Sequence, residues 1–102
     1  MWRVTAEPVA KDHPCLDGHF PGNPIVPGTL ILERVIVLLE QQFPEISINE
    51  VVTAKFIQPL RPEQSFELSA QLKPGQISFQ CAIDDQTITA GKLGYVETGS
   101  NP

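Results

Sequence analysis

His19 and Glu33 are the two residues whose types and spacing most readily support proton transfer. The unperturbed pKa of an imidazole lies nearest neutrality, so it can take up and return a proton. A carboxyl group in apolar surroundings holds its proton more tightly and can serve as an acid. The segment that joins them, GHFPGNPIVPGTLILE, runs from Gly18 to Glu33 and carries three prolines and three glycines in its first eleven residues. Those prolines restrict the backbone around His19 and reduce the entropy lost in holding it. Gly28, at the start of an apolar run, can present a bare N–H to a developing oxyanion, with a helix dipole behind it. A plainer reading stands beside this one: Glu33 faces water, and His19 is a loop residue bonded to a carbonyl.

Two other chemistries use neighbouring residues. Asp12, His13, Cys15, Asp17 and His19 crowd a short stretch, and zinc accepts such ligands. Their spacing matches no usual zinc pattern, and the adjacent prolines limit how far the chain can wrap an ion. Cys15 is a potential thiol nucleophile with His19 four residues on, but nothing nearby would activate it. A small packing residue is the simpler role.

These residues need elements to position them. Trp2 to Val9 alternates loosely, as a strand does. Lys11 to Gly28 is punctuated by proline and glycine and reads as a long loop, and loops of that length are usually functional. Thr29 to Phe43 is the one clear helix, bounded by Pro27 and Gly28 before it and Pro44 after it. At about 100° per residue, Ile31, Leu32, Val35, Ile36, Leu38, Leu39 and Phe43 fall in one broad sector. Thr29, Glu33, Arg34, Glu40 and Gln41 lie opposite, with Leu30 and Val37 among them. Strands follow at Ile46 to Ile57, Ser65 to Leu72, Ile77 to Ile83 and Thr87 to Val96. The turns between the last three are short (Lys73-Pro74-Gly75-Gln76 and Asp84-Asp85-Gln86), which implies antiparallel pairing. The layout is α+β: one long apolar helix on one antiparallel sheet.

Size and charge narrow the function. A chain of 102 residues fits one domain, residues 1–102, with a thin core that a second subunit would help. A net charge of −5 argues against nucleic acid and against a polybasic membrane anchor. No apolar run is long enough to span a bilayer. The start, MWRVTAEPVAKD, lacks the pattern of a signal peptide, and the two cysteines have no CxxC spacing, so a cytoplasmic protein with reduced thiols is expected.

The segment from Gly18 to Glu33 resembles the active-site stretch of the 3-hydroxyacyl-[acyl-carrier-protein] dehydratases of the hotdog superfamily. Their pattern is G-H-F-P-x-x-P-x-x-P-G-x-L-x-x-E, and every fixed position matches, without a gap, from Gly18 and His19 through Gly28 and Leu30 to Glu33. Lys55-Phe56, Pro59 and Pro62-Glu63-Gln64 resemble a second, weaker family stretch.

The resemblance implies a hotdog fold, an antiparallel sheet wrapped around one long central helix. It implies dehydration of a 3-hydroxyacyl thioester to a trans-2-enoyl thioester, with His19 as base and Glu33 as acid. Gly28 would hold the thioester oxygen, with Phe20 and Ile25 on the same substrate-binding side and the carbonyl near Ile25 orienting the imidazole. It implies no metal and no bound cofactor. The acyl group would arrive on the phosphopantetheine arm of an acyl carrier protein or of coenzyme A. Arg34, Lys55 and Arg61 are candidates for a basic rim that meets an acidic carrier, or ordinary solvated charges. The family assembles as homodimers, sometimes as trimers of dimers, with the histidine of one subunit near the acid of the other.

This chain departs from the pattern at Val37, where many relatives have glutamine, and at Pro62-Glu63-Gln64, where Pro-Gly-Asp is usual. Its segment before His19 is also short. Together these departures imply a divergent branch of the family, in fatty-acid biosynthesis or a related polyene, polyketide or lipid pathway. Two alternatives stay open: a hotdog thioesterase, since fold does not fix chemistry, and a non-catalytic hotdog subunit that binds acyl chains or a carrier.

Overall fold

A computed structural model describes residues 2–9 and 25–98. The element order is β1 (Trp2–Ala6), α1 (Gly28–Gln42), β2 (Ile46–Phe56), β3 (Phe66–Lys73), β4 (Gln76–Ile83) and β5 (Gln86–Glu97). All four strand pairings are antiparallel, and the sheet order is β1-β3-β4-β5-β2. This is the expected α+β layout, with element ends shifted by at most one residue except at the end of β1. β1 stops at Ala6 rather than Val9, although Val9 is still buried.

Helix α1 starts where its sequence requires. Pro27 precedes it at φ −59°, the angle its ring enforces. The Pro27 carbonyl accepts from Leu30 N–H at 3.0 Å and from Ile31 N–H at 3.2 Å. The helix ends because Pro44 pushes the preceding residue out of the α region, and Phe43 sits at φ −124°, ψ 76°. Leu30, Ile31, Val35 and Leu39 are buried, and each stabilises the fold by roughly 1.5–3 kcal/mol. Leu30 departs from expectation. The helical wheel puts it among polar residues, yet it is only 5% exposed, because the structure packs against the helix around more than its apolar sector.

Tight turns connect the last three strands. Lys73 faces Gln76 across a two-residue loop in which Gly75 has φ +77°. Ile83 faces Gln86 across Asp84 and Asp85, at φ +49° and +65°. Two positive angles in a two-residue loop are those of a type I′ hairpin, whose twist matches that of the strands.

Register aligns a row of side chains across the sheet. Val4 faces Leu68, Leu68 faces Cys81, Cys81 faces Thr89, and Thr89 faces Phe56. Facing residues of an antiparallel pair share a side of the sheet. Leu68, Cys81 and Thr89 are fully buried, so this row belongs to the core side. The Thr89 hydroxyl finds no hydrogen-bond partner among the described residues.

The C-terminal end of the helix is tied to the sheet. Trp2 meets Phe43 edge to face with centroids 5.7 Å apart. Glu40 Oε2 accepts from Ile48 N–H at 2.9 Å, holding the start of β2.

Candidate active site

The residues around Gly28 form a cavity of about 550 Å³ between the start of α1 and the segment after β2. Ile25, Pro27 and Gly28 line one side of it, and Phe56, Ile57 and Pro59 line the other. Backbone bonds fix both walls. The Val26 N–H donates to Leu60 O at 2.8 Å. Ile57 N–H and Gln58 N–H both donate to Ile88 O, at 2.8 and 3.2 Å.

Within that frame the helix start is open. Pro27 supplies no side-chain cap. Among the described residues, the Gly28 N–H has no hydrogen-bond partner. The first turn carries no acid, so no carboxylate offsets the positive end of the dipole there. An incoming carbonyl oxygen at this point would meet a donor and a favourable field.

Glu33 is exposed and lines a second cavity of about 490 Å³, together with Thr5, Glu7, Arg34, Val37 and Gln41. It stands five positions after Gly28, which places it about 7.5 Å further along the axis and about 140° around it. The two cavities share no lining residue. Val37 is 46% exposed beside Glu33, so the face carrying the candidate acid is also partly apolar and uncovered.

His19 and Phe20 lie outside the described residues, as do the residues of the potential zinc cluster and Cys15. Gly28 and Ile25 come together in the first cavity, and Glu33 stands apart from them in the second. The three basic residues differ in setting. Lys55 is exposed on β2. Arg61 is exposed, and its backbone N–H donates to Gln64 Oε1 at 2.9 Å. Arg34 is half-buried, and its guanidinium donates to the Glu7 carbonyl at 3.2 Å. Phe56 has no assigned role in the sequence motif, yet its ring bounds the Gly28 cavity. The signal was present in the family-like Lys55-Phe56 pair, but its contact with Gly28 is long-range and has no local signature.

Among the described residues, no helix is long and apolar enough to cross a membrane. The sequence model of the ApeI-like family, described as ApeI dehydratase, matches residues 2–92. The 3-hydroxyacyl-[acyl-carrier-protein] dehydratase FabZ of Chlamydia trachomatis serovar D is 32% identical over 108 aligned positions, spanning 91% of this chain and 71% of that protein. The enzyme of the same description from Haemophilus influenzae strain Rd is 32% identical over 80 positions, spanning 70% of this chain and 54% of the relative. The structure of the dehydratase heterocomplex ApeI:P from Xenorhabdus doucetiae superposes with a TM-score of 0.75 at 22% identity, covering 91% of this chain and 84% of that one. An uncharacterised protein from Erwinia carotovora superposes at 0.72, also at 22% identity, covering 93% and 82%. At those identities the two structures establish the shared hotdog-type fold.

Proposed function

The chain belongs to the ApeI-like dehydratase family, and on that premise we propose that it removes water from a 3-hydroxyacyl thioester to give the trans-2-enoyl thioester. The acyl group is carried on the phosphopantetheine arm of an acyl carrier protein, the carrier in the names of its FabZ relatives. Fatty-acid or polyketide-type biosynthesis is the setting. The observation that carries the reading is the intact His19-to-Glu33 motif, together with the uncapped Gly28 N–H at the end of an apolar cavity.

The chemistry follows from those groups. The thioester oxygen accepts a hydrogen bond from Gly28 N–H, which stabilises negative charge as the C2–H bond breaks. His19 takes the C2 proton. Glu33 delivers a proton to the C3 hydroxyl, which leaves as water, and the C2 electron pair forms the C2=C3 double bond. No electrons are gained or lost overall, so the reaction needs no redox cofactor.

The working unit in this reading is a homodimer, the same unit from which a trimer of dimers would be built. Two features support the dimer. Glu33 and Gly28 open into separate cavities of one chain, so a second chain can bring an acid to the Gly28 side. Strand β2 is an edge, and Val51, Val52, Phe56 and Ile57 are exposed on or just after it. An uncovered apolar edge strand is usually paired or protected. A second copy, related by a two-fold axis, presents the matching edge.

Incubating the protein with a 3-hydroxyacyl-carrier thioester tests the reading. Formation of the enoyl product with loss of water is expected. Release of free thiol instead would identify a thioesterase. Tight acyl-carrier binding without turnover would identify a binding subunit, and turnover only after adding a second hotdog chain would replace the homodimer with a mixed pair.

A further inference from the structure

The ring of Phe56 occupies the space beside Gly28. A Cβ placed on Gly28 would lie 2.7 Å from Phe56 Cζ, 2.8 Å from Cε1 and 3.0 Å from Cε2. The tip of the ring therefore points at the Gly28 Cα. Register explains how it gets there. Phe56 ends the row that runs through Leu68, Cys81 and Thr89, so it projects from the core side of the sheet at its open edge. It is nevertheless 50% exposed, because the row runs out of sheet at β2 and the ring overhangs the cavity.

The backbone on both sides of that cavity is tied, through Leu60 O and Ile88 O. Among the described residues, its width beside Gly28 is thus set by the ring. A carbonyl held by Gly28 N–H would sit about 2.9 Å from that nitrogen. Its carbonyl carbon and C2 would then lie within a few ångströms of the Gly28 Cα, next to the ring tip. Carbon atoms in contact need about 3.5–4.0 Å. Hydrogens on C2 fit such a gap more readily than a methyl group does.

We propose that Phe56 is a specificity-determining residue: its ring admits acyl groups unbranched at C2 and disfavours those with a C2 methyl. The proposal rests on the reading of Gly28 as the carbonyl donor of an acyl-thioester site. It identifies the substrate class as straight at C2, whatever the chain length further on. A single methyl group against a fixed wall changes affinity by roughly 10- to 200-fold.

The test is equilibrium binding of two probes, octanoyl-pantetheine and 2-methyloctanoyl-pantetheine, each with an amide in place of the thioester. Neither probe can lose water or be readily hydrolysed, so the result does not depend on which reaction the protein catalyses. The wild type is expected to bind the straight probe at least about tenfold more tightly than the branched one. In Phe56→Ala that ratio should fall toward one, chiefly through tighter binding of the branched probe. Phe56→Leu should lie between, and it carries the test if the alanine variant fails to fold. Equal binding of the two probes by the wild type would overturn the proposal. So would an unchanged ratio in a folded Phe56 variant, or failure of the wild type to bind either probe. Dehydration of a 3-hydroxyacyl thioester by the wild type, measured separately, reports on the reaction itself. A protein that discriminates between the probes but does not dehydrate would keep this inference and lose the other.

Discussion

Arg34 donates from Nη1 to the carbonyl oxygen of Glu7 at 3.2 Å, so the cation next to Glu33 on the helix is turned onto the backbone that follows β1. That bond closes one side of the cavity holding Glu33. It also gives Arg34 structural work that a carrier-facing residue would not need. Lys55, in contrast, is exposed on the edge strand.

The two residues should therefore separate by assay. Arg34→Gln is expected to lower stability by about 0.5–1.5 kcal/mol, the usual worth of one hydrogen bond. Lys55→Gln should leave the melting temperature unchanged. It should instead raise KM for a carrier-bound substrate but not for a pantetheine thioester, because only the carrier presents a large acidic surface. Thermal melts and paired kinetics check both. A carrier-specific KM effect in Arg34→Gln without loss of stability would reverse the assignment.

Glu33 is exposed in the chain, so its replacement should cost little folding energy. Glu33→Gln keeps the shape and removes the transferable proton. The expected outcome is a fall in kcat of about 10²–10⁴-fold with an unchanged melting temperature. His19→Gln should give a loss of the same order. Mixing the two inactive variants tests the shared site: if subunits exchange, mixed dimers contain one site with both native groups, and activity should partly return.

Glu63 has φ +67°, and its N–H donates to Val9 O at 2.7 Å. This is the position where the family-like turn usually carries glycine. A non-glycine residue there costs about 1–2 kcal/mol, while glycine loses roughly 0.5–1 kcal/mol more chain entropy on folding. Glu63→Gly should therefore stabilise the protein by about 0.5–1 kcal/mol. A chemical denaturation curve with an unchanged slope and a higher midpoint would confirm it.

Thr89 is fully buried, and its hydroxyl lacks a partner among the described residues. Thr89→Val replaces that hydroxyl by a methyl of similar shape. A gain of about 1–3 kcal/mol is expected from removing an unsatisfied buried polar group. A loss of stability would mean that the hydroxyl has a partner in the folded protein.

Burial pushes the Cys81 thiol from its ordinary value of 9.0 up to about 12. The folded state thus holds this proton more tightly than the unfolded chain does. The resulting contribution is fully present below pH 9 and is lost as pH rises toward about 12, at roughly 1.4 kcal/mol per unit of pH. Native Cys81 should also resist a thiol reagent at neutral pH and react only after denaturation. Cys15→Ser isolates the measurement. Rapid native labelling of that variant would show that the thiol is reachable.

Local chemistry made most of the elements legible. The strand periods, the Pro27 and Pro44 boundaries of the helix and the two tight hairpins are written in neighbouring residues, because each depends on backbone angles a few positions apart. The proline-framed motif from Gly18 to Glu33 likewise points to a chemistry, and its Pro27 and Gly28 mark the helix start that the structure shows. The tertiary structure decided what depends on distant pairing. It set β2 at the edge beside β5 and brought Glu40 to the amide of Ile48. It buried Leu30 although the helical wheel grouped it with polar residues. It turned Arg34 onto Glu7, across 27 residues of chain. It also laid Phe56 against Gly28, a contact that follows from strand register and no local pattern encodes. Sequence thus names the groups proposed to do the chemistry, because residue type sets what a side chain can donate or accept. The space around those groups is fixed only when strands far apart in the chain pair and close it.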